Sequence, residues 1–127
     1  MLVLVKANVL AVGLEDRSSL LQELPIRVVD IQSGFQAGRS LKNENVNSII
    51  SRWNLPDGPN GQFVRAVRNA KPYLSIIVVI DAGSTAQEIA ARSIGASAVL
   101  SDDESDEIFR RTIAGVLGID DVVQNLT

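Results

Sequence analysis

A chain of 127 residues, 46% of them hydrophobic, is the size of one domain and long enough to bury a full core. It has no cysteine and no histidine, which excludes a disulfide framework, thiolate chemistry and the commonest metal ligand and general base, so neither zinc nor imidazole catalysis is expected. The net charge of −3 is uneven: residues 1–63 hold six basic and six acidic groups, and residues 64–127 hold six and nine, with no basic stripe to follow a nucleic-acid backbone.

Met1 to Val5 is apolar, but Lys6 interrupts it and no basic segment precedes it, so a signal peptide is not expected. The charge-free stretch Ala7 to Leu14 is far short of the roughly 20 residues of a membrane span. Val9 to Leu14 reads as the first strand, with a lead-in from Leu2. Asp16 is placed to cap a short helix, Arg17 to Leu24, that Pro25 stops. Ile26 to Ile31 is the second strand. Ser33 and Gln36 match a capping box and open a helix with Phe35 and Leu41 on one face.

Ser48 to Ser51 is the third strand, with Arg52 at its mouth. Trp53 beside it suits either a partner contact or packing under the next loop. Pro56-Asp57-Gly58-Pro59-Asn60-Gly61 lacks the Gly-Lys-Ser/Thr ending of a phosphate loop and reads as a turn, followed by a helix over Phe63 to Ala70. Ser75 to Ile80 is the fourth strand. Thr85 and Glu88 form a second capping box, before a helix with Ile89, Ala90 and Ile94 on one face and Gly95 as its left-handed cap. Ala98 to Ser101 is the fifth strand. The acidic run from Asp102 to Glu107 leads into the last helix, with Ser105 as N-cap, Asp106 and Glu107 at the positive dipole end, and Gly118 as C-cap.

Short apolar, β-branched runs alternating with helical patterns are the sequence form of βαβ units, so an α/β fold with a five-stranded parallel sheet, covered on both faces, is predicted. No repeat or linker divides it. The nine residues 119–127 form a short tail, too short for an output domain.

Particular segments resemble the receiver domains of two-component response regulators. Asn47-Ser48-Ile49-Ile50-Ser51-Arg52-Trp53-Asn54-Leu55-Pro56 is similar to their third strand and loop, where a phosphoacceptor aspartate stands four residues before a proline. Ile76 to Ala82 is similar to strand four, Ile94-Gly95-Ala96-Ser97-Ala98-Val99-Leu100-Ser101 to the Gly-Ala entry into strand five, and Glu107 to Gly118 to the last helix. The resemblance covers about residues 7–118 and implies one CheY-like, flavodoxin-like (βα)5 domain over 1–118, with strand order 2-1-3-4-5.

The departures from the family pattern bear on function. Arg52 holds the acceptor's place. Receivers hold magnesium with an acidic pair after strand one; in one register Gly13 and Leu14 stand there, in another, slipped by two residues, Glu15 and Asp16. Asp81 stands for the hydroxyl residue after strand four, Asp102 for the phosphate-binding lysine, Asp103 for the proline after it, and Val99 for the aromatic switch. Arg52 and Asp102 invert the family's charges, and the arginine fork is expected to engage Asp102 while reaching Asp81 or Glu15, unless both are solvated loop-end charges.

The resemblance thus implies a non-enzymatic cytoplasmic pseudo-receiver that takes no cofactor. It would act in two-component signalling through a protein partner or a second copy, without nucleic acid or membrane. The expected contact surface is the fourth helix, fifth strand and fifth helix, with Arg92, Val99, Arg110 and Arg111. The alternatives are an atypical receiver that binds Mg2+ or phosphate through Glu15, Asp16 or Asp81, and a flavodoxin-like domain for a small ligand.

Overall fold

Successive side chains of the central strands point to opposite faces of one sheet and feed two separate cores. In the computed structural model, which describes residues 7–43 and 45–119, strands β1 (Ala7–Val12), β2 (Ile26–Ile31), β3 (Ser48–Arg52), β4 (Ser75–Ile80) and β5 (Ala98–Ser101) pair in parallel in the order β2-β1-β3-β4-β5. This is the predicted fold and strand order. Val9, Ala11, Ile50, Ile77 and Val79 meet Leu14, Leu21 and Leu24 of a 3-10 helix (Glu15–Glu23) and its flanks, and Phe109, Ile113 and Ala114 of the last helix, on one face. Leu10, Val12, Ile49, Ile76, Val78 and Ile80 pack on the other face against α1 (Gly34–Asn43), α2 (Gln62–Ala70) and α3 (Thr85–Ser93). The last helix, α4 (Asp106–Leu117), thus shares its layer with the 3-10 helix. Central strands apolar on both sides follow from this double cover.

Several local expectations are corrected. The first strand ends at Val12, and Leu14 turns into the core instead of extending it. The segment expected as an α-helix over Arg17 to Leu24 is a 3-10 helix from Glu15 to Glu23 with no side-chain cap, so Asp16 is not its N-cap. The hydroxyls of Ser18 and Ser19 donate to the carbonyl oxygens of Glu15 and Asp16, at 3.0 and 2.8 Å, competing with the helical ladder.

Phe35 and Ile89, each expected to share one apolar helix face, are 71% and 62% exposed. The fully buried residues of their helices are the small Ala37 and Ala91, which let both helices lie close to the sheet. Ser33 does accept from the Gln36 amide, but α3 is capped by Ser84, one residue before the predicted Thr85. Ser105, Gly95 and Gly118 stand as expected, the two glycines at φ +84° and +74°. Ile119 belongs to the core and not to a tail; the remaining tail residues, 120–127, and the lead-in to the first strand lie outside the described residues. Among the described residues no helix is long and apolar enough to cross a membrane.

Candidate functional site

In an open parallel sheet the crevice outside the carboxyl ends of the strands, where the order reverses, collects ligands and chemistry; here that point lies between β1 and β3. Gly13 follows β1 at φ +71°, with its amide donating to Ile31 oxygen at 2.8 Å. A Cβ on it would lie 2.7 Å from Leu55 Cδ2 and 3.7 Å from Arg52 Cδ, so glycine lets the β3 loop and the arginine stem close over this strand end.

Arg52 is the last residue of β3. Its Nε donates to Gly13 oxygen at 2.7 Å, and Nη2 lies 2.8 Å from Asp102 Oδ1. The guanidinium therefore spans from the end of β1 to the end of β5. With side chains 23% and 41% exposed, the pair is half in solvent and is worth on the order of 1 kcal/mol or less. The expected pairing is present, but the fork does not reach Asp81 or Glu15: its second contact is the Gly13 carbonyl.

Asp81 is held apart, accepting from Gln87 Nε2 at 2.9 Å and Asn54 Nδ2 at 3.4 Å, while the Asp81 amide donates to Gln87 Oε1 at 2.8 Å. Glu15, at φ +54°, lines the cleft together with Gly13, Gln32, Arg52, Asn54, Leu55 and Pro56. Leu14 is buried and Asp16 does not line the cleft, so neither register brings an acidic pair to this point. Among the described residues no three of Asp, Glu, His and Cys gather as a cation site. A hard dication needs several oxygen ligands, and a guanidinium already paired with Asp102, with Glu15 alone beside it on the cleft, does not fit it.

The β3–α2 loop is built around Trp53, which is 4% exposed. A Cβ on Gly61 would lie only 2.4 Å from the indole Cη2, and the Arg65 guanidinium lies 5.1 Å from the ring centroid. Of the two readings of Trp53, packing under the loop is the one found. Asn54 Oδ1 accepts from the Asn60 amide at 2.7 Å, and Leu55 and Gly58 exchange backbone hydrogen bonds around the Pro-Asp-Gly turn.

Sequence reasoning missed two residues here. Asp57 in the turn accepts from the Gly34 and Phe35 amides, both at 2.9 Å, and these backbone donors hold its carboxyl below the usual range. A turn aspartate gives no local sign of a partner more than twenty residues away. Arg17 lies against Phe109, 4.9 Å from the ring centroid, and Nη2 donates to the Glu104 carbonyl oxygen, tying the 3-10 helix to the β5–α4 loop.

On the expected contact face, Arg92 pairs with Glu88 at 3.2 Å and Arg111 with Glu107 at 2.5 Å, each within its own helix. Arg110 points elsewhere, to Glu23 of the 3-10 helix at 2.8 Å. Val99 is half-buried against the α3 side.

No family model matches the chain. Chemotaxis protein CheY homologs from strains of Campylobacter jejuni subsp. jejuni are 30% identical over 94 residues, 72% of this chain and 72% of theirs. A putative response regulator from Chloroflexus aurantiacus superposes with a TM-score of 0.79 at 18% identity, over 88% of this chain and 98% of that one. The beryllofluoride-activated NtrC4 receiver domain dimer superposes at 0.76 with 26% identity, over 87% and 96%. With the sheet order, the double helical cover and this sequence identity together, the chain belongs to the CheY-like receiver family of two-component response regulators.

Proposed function

We propose that this receiver is not phosphorylated, binds no magnesium and acts without catalysis, as a cytoplasmic module that signals by contact with protein. The observation that carries the reading is the place of Arg52. It stands at the carboxyl end of β3, where the resemblance puts the phosphoacceptor, and it is committed to the Gly13 carbonyl and Asp102. A protonated guanidinium is not a nucleophile as a carboxylate is, and its charge is already matched by Asp102, with Glu15 on the same cleft. An incoming phosphoryl group would meet these carboxylates without the lysine and metal that neutralise it in the family.

The contact surface in this reading is formed by α3, β5 and α4, with Arg92, Val99 and Arg111 beside the exposed Ile89 and Ile108. Arg110 serves the fold through Glu23 instead. The NtrC4 neighbour is a receiver dimer, which favours a second copy as one occupant. Nucleic acid and membrane are not among the partners of this domain.

Incubation with acetyl phosphate and magnesium, followed by intact mass measurement, tests the central claim. The mass is expected to stay unchanged. An acid-stable, base-labile phosphoryl adduct on Asp16, Asp57 or Asp81 would reject it.

A further inference from the structure

The two helical layers carry opposite charge. Helices α1, α2 and α3 with their lead-in loops hold five cations, Arg39, Lys42, Arg65, Arg68 and Arg92, against three acids, Asp57, Asp81 and Glu88. The opposite layer, made of the 3-10 helix and α4 with its lead-in loop, holds eight acids against three arginines. A small domain with a cationic layer and an anionic layer on opposite faces of one sheet is electrostatically polar, and complementary potentials steer encounter and fix register.

Each layer also presents an apolar feature within its charge. Between α1 and α2 a groove is lined by Gly34, Phe35, Asp57, Gln62, Phe63 and Ala66; its one acid, Asp57, is taken up by the Gly34 and Phe35 amides, and Phe35 projects from its edge, 71% exposed. Arg39 and Lys42 follow Phe35 at helical spacing on the same side of α1. Both are exposed and have no carboxylate partner among the described residues. On the other layer the first turn of α4 presents Asp106, Glu107 and Ile108, the last 47% exposed. Asp103 and Glu104 precede it, and neither they nor Asp106 has a cation partner among the described residues. An apolar residue flanked by acids thus matches a groove flanked by bases.

We propose that the α1–α2 groove is a docking site for the acidic start of α4 of a second copy of this chain. Because groove and plug lie on opposite faces of the sheet, the contact is head-to-tail and not twofold: each copy keeps one free groove and one free plug, and assembly continues beyond two copies. The plug shares Glu107 and Ile108 with the α3–β5–α4 face proposed above, but the groove lies outside it, so the groove variant separates the two readings, as does size, since a twofold contact stops at the dimer.

Two variants of the whole chain test this, each spoiling one side: Phe35→Ser with Arg39→Glu for the groove, and Asp106→Lys with Glu107→Lys for the plug. Sedimentation at rising concentration should show the wild type growing past the dimer at low salt and returning toward monomer at high salt. Each variant alone should associate at least roughly tenfold more weakly, given the cost of opposing like charges. A mixture of the two should give a two-copy complex that grows no further, because only one intact groove and one intact plug meet. A wild type that stays monomeric, or stops at a dimer that the groove variant leaves intact, overturns the proposal. So does a mixture that forms no complex while both variants keep the wild-type circular dichroism. If the plug variant unfolds, failure of the groove variant to weaken wild-type assembly is itself decisive against it.

Discussion

Arg68, at the amino ends of β4 and β5, gives its guanidinium to four backbone carbonyl oxygens, those of Pro72, Leu74, Ile94 and Gly95, at 2.8 to 3.0 Å. Arg52, at the carboxyl ends, divides its fork between one carbonyl and one carboxylate. Both close loops over an end of the sheet, yet the chemistry differs. Carbonyls are neutral and do not titrate, so the Arg68 bonds hold at any salt or pH at which the fold exists. The Arg52 contact includes a half-exposed ion pair, which salt and substitution of Asp102 both alter. An arginine spent on carbonyls fixes a fold, whereas one spent on a carboxylate at the crevice leaves a site open to change.

The sharpest way to break that contrast is to remove each arginine in turn. Arg68→Ala strands four acceptors at the α2–β4 and α3–β5 loops, part of which water re-solvates. A loss of about 2–4 kcal/mol in urea denaturation is expected, nearly independent of salt. If Arg68→Ala costs no more than Arg52→Ala, the amino end is not the more firmly held of the two.

A smaller effect is expected at the crevice. The cycle of Arg52→Ala, Asp102→Ala and the double change should give a coupling energy of about 0.5–1 kcal/mol, because solvent reaches both partners. It should fall as salt rises. A coupling several times larger would mean that the pair behaves as a buried one, and a coupling of zero that Arg52 is held by Gly13 alone.

The sheet was legible because parallel strands covered on both faces must be apolar on both sides, and runs such as Ile76 to Ile80 have few other uses. Its helical faces were less so. Phe35 and Ile89 attract a reading of burial by size, but the approach of α1 and α3 to the sheet selects Ala37 and Ala91. The Arg52–Asp102 pair was legible only through the resemblance that set both at strand ends. The first loop was misread because Gly13 and Glu15 both take positive φ, which turns Leu14 inward and lets no simple register place an acidic pair. Asp57 and Arg17 escaped notice for one reason: each contacts backbone donors or acceptors from a distant element, and such contacts leave no periodicity.

Asp57 supplies the mildest test, and it inverts the Arg52 case, since here a carboxylate holds backbone amides. Its carboxyl is held below the ordinary value of 3.8 by the Gly34 and Phe35 amides. A depressed folded pKa means that the unfolded chain binds the proton more readily. The stabilisation is therefore complete above the unfolded pKa and is lost as pH falls through the folded one. Asp57→Asn keeps an acceptor oxygen but discards the charge. Wild type should exceed the variant in urea midpoint by a modest, constant margin near neutral pH, and the margin should narrow below about pH 4, as Asp57 itself takes up a proton. The start of α1 carries both amides, so in hydrogen exchange these should lose protection in the variant before the strands do. A margin that stays the same down to acid unfolding would show that the Asp57 oxygens matter only as hydrogen-bond acceptors, and that the charge opposite the first amides of α1 contributes nothing.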